Sequence, residues 1–208
     1  MVSQKTVGVL LFEGFELLDV FGPLEAWGMV GEITRAYTIV TAAETPGPVK
    51  SAQGPRAVAD YALDDCPPID AILVPGGIGT RREVNNAALL EWLRRRAAQA
   101  EVVTSVCTGA ALLACAGLLD GRRATSNKLA FKWVTSQGPA VQWVRQARWV
   151  EDGKFATSSG VSAGIDMTLA MIARLVGMKT AEQVAIRMEY EWHTDPSWDP
   201  FARIHGLV

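Results

Sequence analysis

The sequence predicts an α/β protein built on a mostly parallel sheet. Short apolar, β-rich runs recur along the chain, and longer segments with helical spacing separate them. Two of the runs end in sharp, glycine-bearing turns, Pro75-Gly76-Gly77 and Cys107-Thr108-Gly109. Strands separated by helices of this length call for crossover connections and a sheet covered on both faces. Ligands of such sheets bind beyond the carboxyl ends of the strands, so residues that follow strands are the first candidates for function.

Residues 6–12 form the first predicted strand, followed by a helix over 17–30 with Leu17, Leu18, Phe21, Leu24 and Trp27 at helical spacing. Residues 37–41 give a second strand. The segment 45–68 is rich in Pro, Gly and Asp and reads as a hairpin or loops. Ala71 to Val74 is a third strand, and 86–98 a helix capped by Asn85 or Asn86. The apolar run Glu101-Val102-Val103-Thr104 is a buried strand leading into Ser105-Val106-Cys107-Thr108-Gly109, and Ala110 to Ala114 begins the next helix. Further on come a helix over 128–136, a hairpin over 147–158 turning at Asp152-Gly153, and helices over 163–176 and 180–192.

Composition narrows the function. A chain of 208 residues, 49% of them apolar, fits one domain with a sizeable core, with room for two small ones. The formal charge is −2, and Arg94-Arg95-Arg96 reads as the solvated face of a helix, so nucleic-acid binding has no electrostatic footprint. No apolar stretch is long enough to span a membrane, and the N-terminus enters a strand pattern without a leader; a soluble cytoplasmic protein is the expectation. Three cysteines, without a C-x-x-C pair, give no disulfide framework, and no ligand spacing suggests a metal. Cys66 lies in a loop, and Cys115 on the apolar helix after the turn reads as core. The two histidines, His193 and His205, lie near the C-terminus and read as surface residues.

Cys107 stands out because a cysteine on a strand-to-helix turn is a nucleophile elbow in outline: the turn presents the sulfur to the following N–H groups. The helix dipole is expected to lower the thiol pKa. A buried structural cysteine accounts for the same residues. Asp19, flanked by Leu18, Val20 and Phe21, is a poorly solvated acid whose pKa burial would raise, and it can exchange a proton with the thiol and a substrate; alternatively it caps a helix. The N–H groups at Gly76-Gly77 and Thr108 can stabilise an oxyanion, or the glycines simply serve a turn. The Gly/Ser-rich junction from Thr157 to Asp166 lines a pocket or caps the following helix.

Five stretches together resemble the DJ-1/PfpI superfamily: Val9-Leu10-Leu11-Phe12-Glu13-Gly14-Phe15, Leu18-Asp19-Val20-Phe21-Gly22-Pro23, Leu73-Val74-Pro75-Gly76-Gly77, Ser105-Val106-Cys107-Thr108-Gly109-Ala110 and Ser159-Gly160-Val161-Ser162-Ala163-Gly164-Ile165-Asp166. The resemblance implies a flavodoxin-like three-layer sandwich, related to class I glutamine amidotransferase domains, with residues 1–208 as one domain. It also implies a homodimer with no cofactor and no metal. The pairing of Cys107 with an early aspartate is most similar to the isocyanide hydratase branch. On that resemblance the chain is a hydro-lyase acting on a small apolar isocyanide, with Cys107 as nucleophile, Asp19 as general acid and base, and the N–H groups of Thr108 and Gly77 orienting the intermediate. Gly76, Gly160, Val161 and Ser162 would shape the pocket. Peptidase-like members carry a histidine directly after the cysteine, where this chain has Thr108. Many relatives also have a histidine where Arg122-Arg123-Ala124-Thr125-Ser126 here runs into Asn127. The superfamily further contains glyoxalase-like enzymes and ligand- or redox-sensing modules. Sensors of the AraC type add a helix-turn-helix domain, which Asp195-Pro196-Ser197-Trp198-Asp199-Pro200 does not resemble.

Overall fold

The computed structural model describes residues 4–208. Along the chain run β1 (Lys5–Leu10), α1 (Leu17–Thr34), β2 (Tyr37–Ala43), β3 (Gly47–Lys50), β4 (Arg56–Ala59), β5 (Tyr61–Ala62), β6 (Ala71–Val74), α2 (Thr80–Glu83) and α3 (Ala87–Gln99). They are followed by β7 (Val102–Val106), α4 (Gly109–Cys115), β8 (Arg123–Ala124), α5 (Phe131–Gln137), β9 (Gln142–Trp143), β10 (Trp149–Asp152), β11 (Phe155–Ser158), α6 (Ala163–Leu175), α7 (Met178–Arg187) and α8 (Phe201–Ile204).

Seven strands form the central sheet in the order β10-β11-β7-β6-β1-β2-β5. All neighbours run parallel except the β10–β11 hairpin at one edge. Numbered by appearance, the five strands β2-β1-β6-β7-β11 follow the flavodoxin-like order 2-1-3-4-5, whose switch point lies between β1 and β6. β6 and β7 are buried along their whole length, which requires cover on both faces. α1 packs with α6 and α7 on one side; α2, α3 and α5 gather around α4 on the other.

The elements differ from expectation where side chains or single dihedrals intervene. The first strand ends at Leu10, although the Leu11 N–H still bonds the Ala42 carbonyl at 2.8 Å. Segment 45–68 resolves into the antiparallel β3–β4 hairpin and β5, which joins the sheet edge. Asn86 caps α3 by accepting from the Leu89 N–H at 3.2 Å. The helix expected from residue 128 begins at Phe131, because Asn127 and Lys128 turn their side chains into the molecule. α7 stops at Arg187, and Glu189 adopts φ +47°, which breaks the helical path. Among the described residues, no helix is long and apolar enough to cross a membrane.

Candidate active site

The turn after β7 puts Cys107 at φ +57°, a left-handed conformation that residues other than glycine seldom adopt. Such strain persists only where the surroundings over-determine it. The Cys107 N–H donates to the carbonyls of Ser158 (3.2 Å) and Ser159 (3.3 Å), while its carbonyl accepts from Ser126 Oγ at 2.7 Å. The residue is only 6% exposed. Burial pushes its thiol pKa well up; the charge of Asp19 adds to the rise, and a hydrogen bond from the Thr108 N–H opposes it. This corrects the expectation of a thiol lowered by the helix dipole. Removing the sulfur from water beside a carboxylate outweighs the terminus of a seven-residue helix.

Asp19 sits in the first turn of α1 at 0% exposure. Its side chain does not cap that helix. Oδ2 instead accepts the Gly76 N–H at 2.8 Å, across the switch point between β1 and β6. Among the described residues Oδ1 has no hydrogen-bond partner; the Cys107 thiol lies near the carboxyl and weakly opposes the rise in its pKa. Burial raises the Asp19 pKa well above the ordinary carboxylate range; the hydrogen bond from Gly76 opposes this, and the nearby Glu16 charge adds to it. Two groups that both resist ionisation thus face each other. They titrate as a pair, with one proton easily held between them.

Gly77 has φ +120°, and a Cβ there would come within 2.3 Å of the Gly14 carbonyl, so glycine is required. Its N–H donates to Thr108 Oγ1 at 3.0 Å, which in turn receives the Thr80 hydroxyl at 3.2 Å. With the Gly76 N–H given to Asp19, neither glycine offers a free donor to an oxyanion. Gly76-Gly77 therefore positions the acid and the elbow, and of the three expected donors only the Thr108 N–H meets the sulfur.

Gly160 closes the other side. A Cβ at this position would lie 3.0 Å from Cys107 Sγ and 2.2 Å from Asn127 Nδ2. The Asn127 side chain is fixed because Oδ1 accepts the Ala130 N–H at 2.9 Å, leaving Nδ2 to face the thiol side. Asn127, Gly160, Val161 and Ser162 line a cavity of about 330 Å³ that also touches Leu18, beside Asp19. Asp19, Thr108 and Gly160 thus lie about the thiol, whereas Val161 and Ser162 line the cavity with Gly160, and Gly76, expected in the pocket, is absent from its lining. His193 stays outside: its ring stacks on Trp198 at 4.8 Å. Sequence reasoning missed most of the cavity wall: Leu18, Lys128, Leu129 and Ser159, and from the tail Phe201 and His205. The signal that existed was apolar Phe201 within the otherwise polar tail. Among the described residues, no cluster of His, Cys, Asp or Glu could hold a metal ion.

This chain, with its elbow cysteine beside a buried acid at the switch point of a 2-1-3-4-5 sheet, is matched by the DJ-1/PfpI family model over residues 5–174. The chain belongs to the DJ-1/PfpI family. It is 35% identical to the isonitrile hydratase of Pseudomonas putida over 184 residues, covering 88% of this chain and 78% of that enzyme. It is 28% identical to the HTH-type transcriptional regulator GbdR of Pseudomonas aeruginosa (strain UCBPP-PA14), spanning 91% of this chain and 52% of the regulator. Among solved structures, a THiJ/PfpI family protein from Pseudomonas syringae superposes with a TM-score of 0.83 at 30% identity, covering 95% of this chain and 79% of that one.

Proposed function

We propose that this chain hydrates a small apolar isocyanide to the N-substituted formamide. The observation that carries the reading is a fully buried Asp19 carboxyl beside a buried elbow thiol, each pushed toward its protonated form. Similarity to an isonitrile hydratase supports it. A neutral linear substrate carries little charge to desolvate, so it can enter a cavity in which Asp19 and Cys107 together hold one proton.

Burial keeps the Cys107 sulfur protonated at rest, and passing that proton to the Asp19 carboxylate gives the reactive thiolate–acid pair. The Cys107 sulfur forms a bond to the terminal isocyanide carbon, and the Asp19 proton moves to the same carbon, giving the thioimidate R–N=CH–S. Water then adds to this carbon, and Asp19 relays one of its protons to nitrogen. The C–S bond breaks as the remaining hydroxyl proton passes to Asp19. R–NH–CHO leaves, and the thiolate–acid pair is restored. The Thr108 N–H steadies the sulfur when it carries charge. Gly77 holds the elbow through Thr108 Oγ1, and Gly160, Val161 and Ser162 wall the cavity.

The test is formamide production from cyclohexyl isocyanide by wild type and Cys107→Ala. Turnover in wild type alone supports both reaction and nucleophile, whereas no turnover in wild type removes the reading. A second reading, a ligand- or redox-sensing module, is favoured by the similarity to a transcription regulator. Reversible oxidation of Cys107 without turnover of isocyanides or dicarbonyls is its signature.

A further inference from the structure

The last sixteen residues take no part in the sheet, yet they are fastened to the cavity at two buried points. At one, Lys128 Nζ meets Asp199 Oδ2 at 3.3 Å, with both side chains almost fully buried. The same ammonium donates to Thr125 Oγ1 (2.6 Å), the Ser126 carbonyl (3.1 Å) and the Ala147 carbonyl (2.8 Å). Asp199 Oδ1 accepts the Phe201 N–H at 3.0 Å and so starts α8. At the other, Arg148 Nε donates to Asp166 Oδ2 at 2.6 Å, and Asp166 Oδ1 accepts the His193 N–H at 3.0 Å. The Arg148 backbone joins the two sides directly: its N–H donates to Pro196 (2.7 Å), and its carbonyl accepts from Ser159 (2.8 Å).

Both fastenings therefore tie a cavity residue to the tail. Lys128 follows Asn127 in the chain, and Ser159 precedes Gly160. Two buried ion pairs are an expensive way to hold a surface segment, since each charge must be desolvated. What they hold in place is Phe201 and His205, which close the cavity beside Gly160.

Gly160 lines the cavity and leaves room for the Cys107 sulfur behind it, and we propose that α8 is the specificity wall of this cavity, with Phe201 packing on the apolar organic group of a ligand whose reactive end reaches past Gly160 to Cys107. The facing side chains are Leu18, Leu129 and Val161, so the group is contacted by hydrocarbon on several sides. Lys128 also lines the cavity, but its ammonium is engaged by Thr125, Ser126, Ala147 and Asp199 and is not free to bind a ligand. A volume of about 330 Å³ lies at the small end of ligand sites, which suits a single ring or a short branched chain. For isocyanides, this proposal rests on the function given above.

Two measurements separate the proposal from that function. The first is the ratio of kcat/KM for cyclohexyl isocyanide to that for methyl isocyanide. The second is the ratio of alkylation rates of Cys107 by N-cyclohexylmaleimide and N-methylmaleimide, read on the Cys107 peptide by mass spectrometry with Cys107→Ala as blank. Phe201 is 44% exposed, so Phe201→Ala leaves the fold intact. Losing its buried half should lower each ratio roughly fivefold. Ile204→Ala, on the same helix but outside the cavity lining, should leave both ratios as in wild type. Alkylation ratios that fall without any isocyanide turnover sustain the wall and remove the hydratase. Isocyanide turnover with both ratios unmoved in Phe201→Ala overturns the wall and leaves the hydratase standing.

Discussion

Replacing Asp19 by Asn should make the protein more stable and less active, and the stability gain should depend on pH. The side chain is fully buried and has one backbone donor, the Gly76 N–H at 2.8 Å, with none of the salt bridges of the described residues reaching it. Burial holds its pKa above that of an unfolded aspartate, which is about 3.9. Above that pH the unfolded chain has released the proton while the native state retains it. Stability from this group is therefore complete below about pH 4 and declines as pH rises toward the native pKa, by up to about 1.4 kcal/mol per pH unit. An asparagine keeps the Gly76 hydrogen bond and has no charge to bury. At about pH 8 it should raise the unfolding free energy by about 1.4 kcal/mol for each pH unit by which the native pKa exceeds about 3.9, less the cost of an Nδ2 that inherits the unpartnered Oδ1 position. Wild type and variant should converge near pH 4. Urea unfolding of both proteins, in steps from about pH 4 to pH 8, gives the curve, and formamide production gives the activity. Loss of proton transfer should reduce turnover by about 10²–10⁴-fold. An Asp19→Asn protein no more stable than wild type at pH 8 would show that the native carboxylate is well solvated, and retained turnover would remove its proton-transfer role.

Gly160→Ala should slow both alkylation and turnover at Cys107 by more than tenfold, because the new methyl would lie 3.0 Å from the sulfur and displace the Asn127 amide; wild-type alkylation rates would refute this. Lys128→Met strands Asp199 as an unpaired buried carboxylate and should cost about 3–5 kcal/mol in urea unfolding at neutral pH; a loss below about 1 kcal/mol would mean the pair is solvated. Burial brings the Lys128 pKa down to about 8, below its unfolded value. The penalty for holding that charge is therefore present below about pH 8 and is relieved as pH rises toward 10. Wild type should accordingly gain stability relative to Lys128→Met over that interval, as paired urea titrations can measure.

The parts of the fold legible in the sequence were those set by local pattern. Ala71–Val74 was bounded correctly because four apolar residues run straight into Pro75-Gly76-Gly77, and Asn86 declared the start of α3. The strand-to-helix turn at Cys107 was legible because a β-rich run meets Gly109 and an apolar helix there, while the choice between a nucleophile and a structural cysteine stayed open. What was hidden depended on contacts distant in sequence. The thiol pKa rises because Asp19 and the protein interior enclose it, which no reading of the helix alone reveals. The donors at Gly76 and Gly77 are engaged by Asp19 and Thr108, partners separated from them by 57 and 31 residues. Phe201 and His205 reach the cavity only because Asp199 finds Lys128 and Pro196 finds Arg148, long-range pairs without a sequence signature.

The left-handed backbone of Cys107 also limits how this position can change over evolutionary time. A β-branched side chain is strongly disfavoured at φ +57°, so valine, isoleucine and threonine are closed to it whatever the surrounding selection. Glycine, and to a lesser degree asparagine and aspartate, adopt this conformation most readily. A descendant that gave up thiol chemistry and kept the cavity for binding is therefore expected to carry a small, unbranched residue at position 107, with Thr108, Gly77 and the strapped tail still in place. The same elbow that presents a nucleophile would then serve as a floor for a ligand.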